Sequence, residues 1–195
     1  MREYESPSTI RIPPQDQLAT TVFRSDRPEC VLFDRPTGNG WEPVTAAQFA
    51  TEVRALAAGF LAAGIRPGDR VALLAATRYE WTLTDYALWT VGAVPVPIYD
   101  TSSPEQIRWV LEDSEPVATV VGTSQHRRRL EEIQENLPGL ERVWQIDAGD
   151  LSRLRQEGAE VPAAQVDERR DAVRADDTAT IIYTSGTTGR PKGCV

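Results

Sequence analysis

Apolar residues recur along this chain with two periods, and the switch between them lays out the elements. Phe49, Val53, Leu56 and Phe60 repeat at helical spacing and line one helix face. Thr45-Ala46-Ala47-Gln48 is a capping box that starts this helix, and Gly64 stops it. Val71 to Ala75 is a short unbroken apolar run, the pattern of a buried strand. Arg66-Pro67-Gly68-Asp69 before it has proline and glycine where a type II turn needs them.

The pattern then repeats. Thr77-Arg78-Tyr79-Glu80 reads as a second capping box, opening a helix to about Val91. Val94 to Ile98 is extended but carries Pro95 and Pro97, which places it near a sheet edge or a strand start. Ser103-Pro104-Glu105-Gln106 is a third capping box, with proline at the first helical position. Ile107, Val110 and Leu111 face inward on that helix. Val117 to Val121 is a strand, Ser124 to about Leu137 a helix stopped by Pro138-Gly139, and Arg142 to Ile146 a strand. Residues 149–175 are charged and alanine-rich, one or two surface helices with a loop. Ala179 to Tyr183 reads as a last buried strand.

Nearer the start, residues 1–17 are polar and bear prolines, a strap across the surface. Leu18 to Phe23 reads as a short helix. Cys30 to Phe33 and Trp41 to Val44 read as strands of a hairpin closed by Pro36-Thr37-Gly38-Asn39-Gly40. Strands alternating with helices over short connections predict an α/β fold with a mostly parallel sheet and helices on both faces. A small antiparallel hairpin precedes it.

Composition narrows the function classes. The 195 residues are 41% hydrophobic and 26% charged, ordinary for a globular chain. A net charge of −8 argues against nucleic acid as partner and against binding an anionic membrane by bulk charge. No apolar run is long enough for a transmembrane helix, and the first residues lack a signal peptide's apolar core. A cytoplasmic setting is the expectation, with peripheral membrane contact left open. Cys30 and Cys194 form neither a disulfide framework nor a metal pattern and are expected to be buried thiols. His126 beside Arg127-Arg128-Arg129 is expected on a solvated helix face. The five tryptophans are expected to pack rather than stack on a ligand.

The chemistry concentrates in Tyr183-Thr184-Ser185-Gly186-Thr187-Thr188-Gly189-Arg190-Pro191-Lys192-Gly193. Glycines let a ligand approach the main chain, and successive N–H groups of such a loop make an anion site. Thr184, Ser185, Thr187 and Thr188 add hydroxyl donors, and Lys192 adds a point charge suited to a phosphate oxygen. The spacing is not that of a Walker A loop, because no Ser or Thr follows Lys192.

This stretch resembles the phosphate-binding signature of the adenylate-forming enzymes, which include acyl-CoA synthetases, luciferases and peptide-synthetase adenylation domains. Three upstream stretches resemble the same family: Gly64 to Ala72, Arg78-Tyr79-Glu80-Trp81, and Gly92 to Thr101. The Arg-x-Glu-Trp segment and the Tyr99-Asp100-Thr101 ending resemble the long-chain fatty acid–CoA ligase branch. For Arg78, Glu80 and Trp81 a structural role is favoured, with Glu80 completing a cap and Trp81 packing. Tyr99 to Thr101 are expected to form a turn and cap.

The resemblance implies an ATP-dependent, AMP-forming reaction in which a fatty acid becomes an acyl-adenylate and then a CoA thioester. ATP, Mg²⁺ and CoA would be needed by the complete enzyme. Thr184, Ser185, Thr187, Thr188 and Lys192 would donate to the β- and γ-phosphates, and Gly186 and Gly189 would let the loop fold over them. Residues 18–195 would be part of the adenylation domain. The family's adenine, ribose and Mg²⁺ segments, its acyl tunnel and its catalytic lysine lie beyond this loop, so no catalytic residue and no metal ligand is assigned within the 195 residues. Acyl-adenylate formation by this stretch alone is not expected. Two rival readings are an adenylation domain for an amino or aryl acid and a non-catalytic binding module.

Overall fold

The computed structural model describes residues 13–133, 140, 142–184 and 190–195. Its centre is a parallel sheet in the order β4-β3-β5-β6, built from Val94–Ile98, Arg70–Leu74, Ala118–Val121 and Arg142–Gln145. Two antiparallel hairpins stand apart from it: β1 (Val31–Thr37) with β2 (Gly40–Thr45), and β7 (Ile182–Thr184) with β8 (Lys192–Cys194). The expected α/β architecture with an early hairpin is therefore the one observed, and β4 is an edge strand of this sheet as its prolines require.

Strand alternation divides the core into two layers. Val71 and Leu73 point into one cluster with Phe49, Val53, Leu56 and Phe60 of α2 (Ala46–Ala62) and Leu83, Ala87 and Leu88 of α3 (Tyr79–Thr90). Ala72 and Leu74 point into the other, with Val96, Ile98, Ile107, Val110 and Leu111 of α4 (Pro104–Ser114) and Leu130 of α5 (Ser124–Glu131). Helices thus cover both faces, and the strands read as continuous apolar runs for that reason. Two of the three expected capping boxes form, with Thr45–Gln48 opening α2 and Ser103–Gln106 opening α4 with Pro104 at its first turn. The Arg66–Asp69 turn is type II: Asp69 N–H reaches the Arg66 carbonyl at 3.1 Å and Gly68 has φ +80°.

Several expectations are corrected. The Thr77–Glu80 box does not form. Arg78 is the N-cap of α3 and makes no side-chain cap; Glu80 accepts instead from Arg78 Nε at 2.6 Å, so the nearby guanidinium outcompetes the backbone N–H. Helix α5 ends at Glu131 rather than near Leu137, and residues 134–139 lie outside the described residues. The 149–175 stretch is more than surface. Its helices α6 (Asp150–Glu157) and α7 (Ala163–Ala172) bury Leu151, Leu154 and Val166 against α2. Cys30 and Cys194 are exposed, because each belongs to a hairpin region that packs on few neighbours. His126 is buried rather than solvated: it follows the N-cap Thr123 and turns under the strand ends, where a Cβ on Gly122 would lie 3.1 Å from its Nδ1.

Candidate functional site

The loop's ends are fixed by the β7–β8 hairpin, in which Thr184 pairs with Lys192 and Tyr183 with Gly193. The buried strand expected over Ala179 to Tyr183 is not what forms. Ladder pairing covers only Ile182 to Thr184, and only Tyr183 of these is buried. Ala179 to Ile181 instead lie against neighbours as single contacts. Trp89 Nε1 donates to the Ala179 carbonyl at 2.7 Å, while Thr180 Oγ1 and the Ile181 N–H both reach the Pro95 carbonyl, at 3.0 and 3.2 Å. Pro95 has no N–H to offer, but its carbonyl is free to anchor this segment along the edge strand.

Of the expected site residues, Thr184 and Lys192 are described, and both are exposed at the mouth of the hairpin. Ser185, Gly186, Thr187, Thr188 and Gly189 lie outside the described residues. Thr184 Oγ1 sits 3.6 Å from Cys194 Sγ, a contact too weak to hold the hydroxyl from a better acceptor. The Lys192 ammonium and the Thr184 hydroxyl are thus on opposed residues of the ladder, both with solvent access. Both can donate to an anion. Among the described residues no group of three or more His, Cys, Asp or Glu could hold a metal.

Beside the hairpin, at the C-terminal end of β4, a cavity of about 440 Å³ is lined by Ile98, Tyr99, Gln106, Val110, Tyr183 and Thr184 among others. Parallel sheets place ligands at this end of their strands. Tyr99 is 74% exposed, and Ser102 N–H closes a turn onto its carbonyl at 3.0 Å, so Tyr99 to Thr101 form the turn expected of them. Arg129 Nη1 fastens that turn by donating to the carbonyls of Asp100 at 2.5 Å and Ser102 at 3.4 Å.

The upstream signature residues are structural. Arg78 bridges Glu80 and Asp147, at 2.6 and 2.7 Å, tying the start of α3 to the segment after β6. The hydrogen bond that Arg78 donates to Glu80 comes first in holding the Arg78 pKa above the ordinary arginine value. Trp81 packs on the larger core cluster. Sequence reasoning did not find Trp109 and Asp113 of α4, which contact Pro191 and Tyr183 on either side of the loop. Their spacing of four residues was the available signal, but nothing in the sequence says which neighbour that face meets.

The AMP-binding enzyme family matches residues 20–195, and the chain belongs to that family. Long-chain-fatty-acid–CoA ligase FadD15 of Mycobacterium bovis is 45% identical over 100% of this chain, which covers 33% of that protein. The crystal structure of a long-chain-fatty-acid–CoA ligase (FadD1) from Archaeoglobus fulgidus superposes with a TM-score of 0.77 at 26% identity, over 98% of this chain and 38% of its own. The N-terminal domain of FACL13 from Mycobacterium tuberculosis gives a TM-score of 0.66 at 29% identity, over 78% of this chain and 37% of its own. The chain thus spans about a third of the curated relatives' length and corresponds to an N-terminal portion of adenylate-forming enzymes. No helix among the described residues is long and apolar enough to cross a membrane.

Proposed function

We propose that this chain supplies the phosphate-binding wall of an ATP-dependent, AMP-forming long-chain fatty acid–CoA ligase. The observation that carries the reading is the 45% identity to a ligase of that printed name over 100% of this chain. In this reading residues 18–195 are part of the adenylation domain; most of the expected strap over residues 1–17 lies outside the described residues. The carboxylate of a fatty acid attacks the α-phosphate of ATP, pyrophosphate leaves, and CoA then takes the acyl group. Two anions must meet in the first step, and negative charge builds on the departing pyrophosphate. Donors aimed at that charge lower the barrier.

Thr184, Ser185, Thr187, Thr188 and Lys192 are those donors here. Gly186 and Gly189 give the main chain room to close on the β- and γ-phosphates. The hairpin supports the assignment by setting Thr184 opposite Lys192 at the loop's base. Mg²⁺ enters with ATP and offsets polyphosphate charge; its ligands and the acyl tunnel belong to the remaining two thirds of a protein of the relatives' length. The 195 residues alone are not expected to form acyl-adenylate.

A chimera tests the reading: residues 1–195 joined to the remainder of the Mycobacterium bovis relative, assayed by pyrophosphate exchange into ATP. Exchange should appear in the chimera when a long-chain fatty acid is present and be absent from the 195 residues alone. A folded chimera that exchanges no pyrophosphate would contradict the reading.

A further inference from the structure

Both ends of the phosphate loop are tied to one face of one helix. Before the loop, Tyr183 Oη donates to Asp113 Oδ2 at 2.5 Å. After it, Trp109 Nε1 donates to the Pro191 carbonyl at 2.8 Å, and the Arg190 guanidinium lies 4.5 Å from the Trp109 ring centroid. Trp109 and Asp113 are four residues apart on α4 and therefore share a face. A different face of α4 packs the sheet, through Ile107, Val110 and Leu111. The Trp109–Asp113 face is thus free to serve the hairpin.

The hairpin needs such support. Its strands are three residues each, and a short two-stranded ribbon is marginal by itself. Gly193 is shaped for the same contact: a Cβ there would come within 3.0 Å of Ile181 Cγ2 and 3.2 Å of Tyr183 Cζ. Without a side chain at 193, the tyrosine ring crosses the hairpin and its hydroxyl reaches the helix. Burial, then the Asp113 hydrogen bond, push the phenol pKa well above its ordinary value, so it stays a donor wherever the protein is folded.

We propose that α4 is the seat of the phosphate loop, with Asp113 and Trp109 as positioning residues that fix where the loop starts and where it leaves, and so aim Thr184 and Lys192 at a polyphosphate. For its ligand the proposal rests on the function proposed above; for its geometry it does not. A hydrogen bond to a charged acceptor contributes a factor on the order of ten.

The test uses the full 195-residue chain as wild type, Trp109→Phe, Asp113→Ala and Asp113→Asn. Amide hydrogen exchange across residues 182–194 is read beside the dissociation constant for magnesium pyrophosphate from calorimetric titration. Trp109→Phe and Asp113→Ala should speed exchange in the hairpin about tenfold, leave β3 and β5 unchanged, and weaken pyrophosphate about fivefold or more. Asp113→Asn still accepts the phenol proton and should restore most of what Asp113→Ala loses. If Asp113→Ala unfolds, Tyr183→Phe removes the same bond while keeping the buried ring. Variants that exchange and bind as the wild type does overturn the proposal. A wild type that takes up no pyrophosphate, with variants that still loosen the hairpin, upholds the seat and removes the phosphate reading instead.

Discussion

Asp85 is the residue whose chemistry most opposes its surroundings. It is buried on α3, its Oδ1 has no partner among the described residues, and burial pushes its pKa up to about 7. A carboxyl with a raised folded pKa contributes its stability below the unfolded value near 4 and loses it as pH rises towards 7. Replacing Asp85 by Asn mimics the protonated form. Asp85→Asn should therefore change the melting temperature little at pH 4 and raise it by several degrees at pH 8, the cost of ionisation being on the order of a few kcal/mol. Thermal melts at the two pH values check the sign. His126 runs the other way. Burial first, then Arg129, lower its pKa, so the stability it contributes is present above pH 6.5 and is lost as pH falls below that. Its burial was illegible in the sequence. Three arginines follow it, and a charged run normally marks a wet face. In the fold, Arg129 reaches back to the Asp100 carbonyl and Leu130 goes inward, so this stretch has two sides.

Among the elements, the contact between α2 and α6 admits the least change. A Cβ on Gly158 would lie 2.3 Å from Gly59 N, and one on Gly59 would lie 2.4 Å from the Leu154 carbonyl oxygen. Both obstacles are backbone, so neither can swing aside. Gly158→Ala and Gly59→Ala should each destabilise the chain by about 1–3 kcal/mol, seen as a lowered urea midpoint at unchanged slope. The period of the apolar positions made α2, β3, α4 and β5 legible, because each buries a face whose repeat matches its geometry. The capping boxes at Thr45 and Ser103 marked helix starts correctly for the same local reason. Two elements misled. At Thr77 the competing Arg78–Glu80 pair replaced the cap. At Ala179–Tyr183 an apolar run looked continuous, yet Ile182 faces outward at 45% exposure because the ladder it joins is a two-stranded hairpin and not the central sheet.

For the whole molecule, the sheet, its two helical layers and the β7–β8 hairpin place Thr184, with Lys192 opposite it, beside the C-terminal end of β4. The donors themselves were legible as a run of small hydroxyl residues, glycines and one lysine. Their support was not, because Trp109 and Asp113 are some seventy or eighty residues upstream and only the folded chain brings them to Pro191 and Tyr183. We propose that Lys192 and its loop hold the ATP phosphates while a fatty acid is activated. Pyrophosphate exchange by the chimera with the Mycobacterium bovis relative, measured for wild type and Lys192→Ala at saturating fatty acid, tests it most directly. Loss of one charge-assisted contact predicts a fall of about ten- to a hundredfold, with thermal stability unchanged because the lysine is exposed. An exchange rate equal to that of the wild type would contradict the claim.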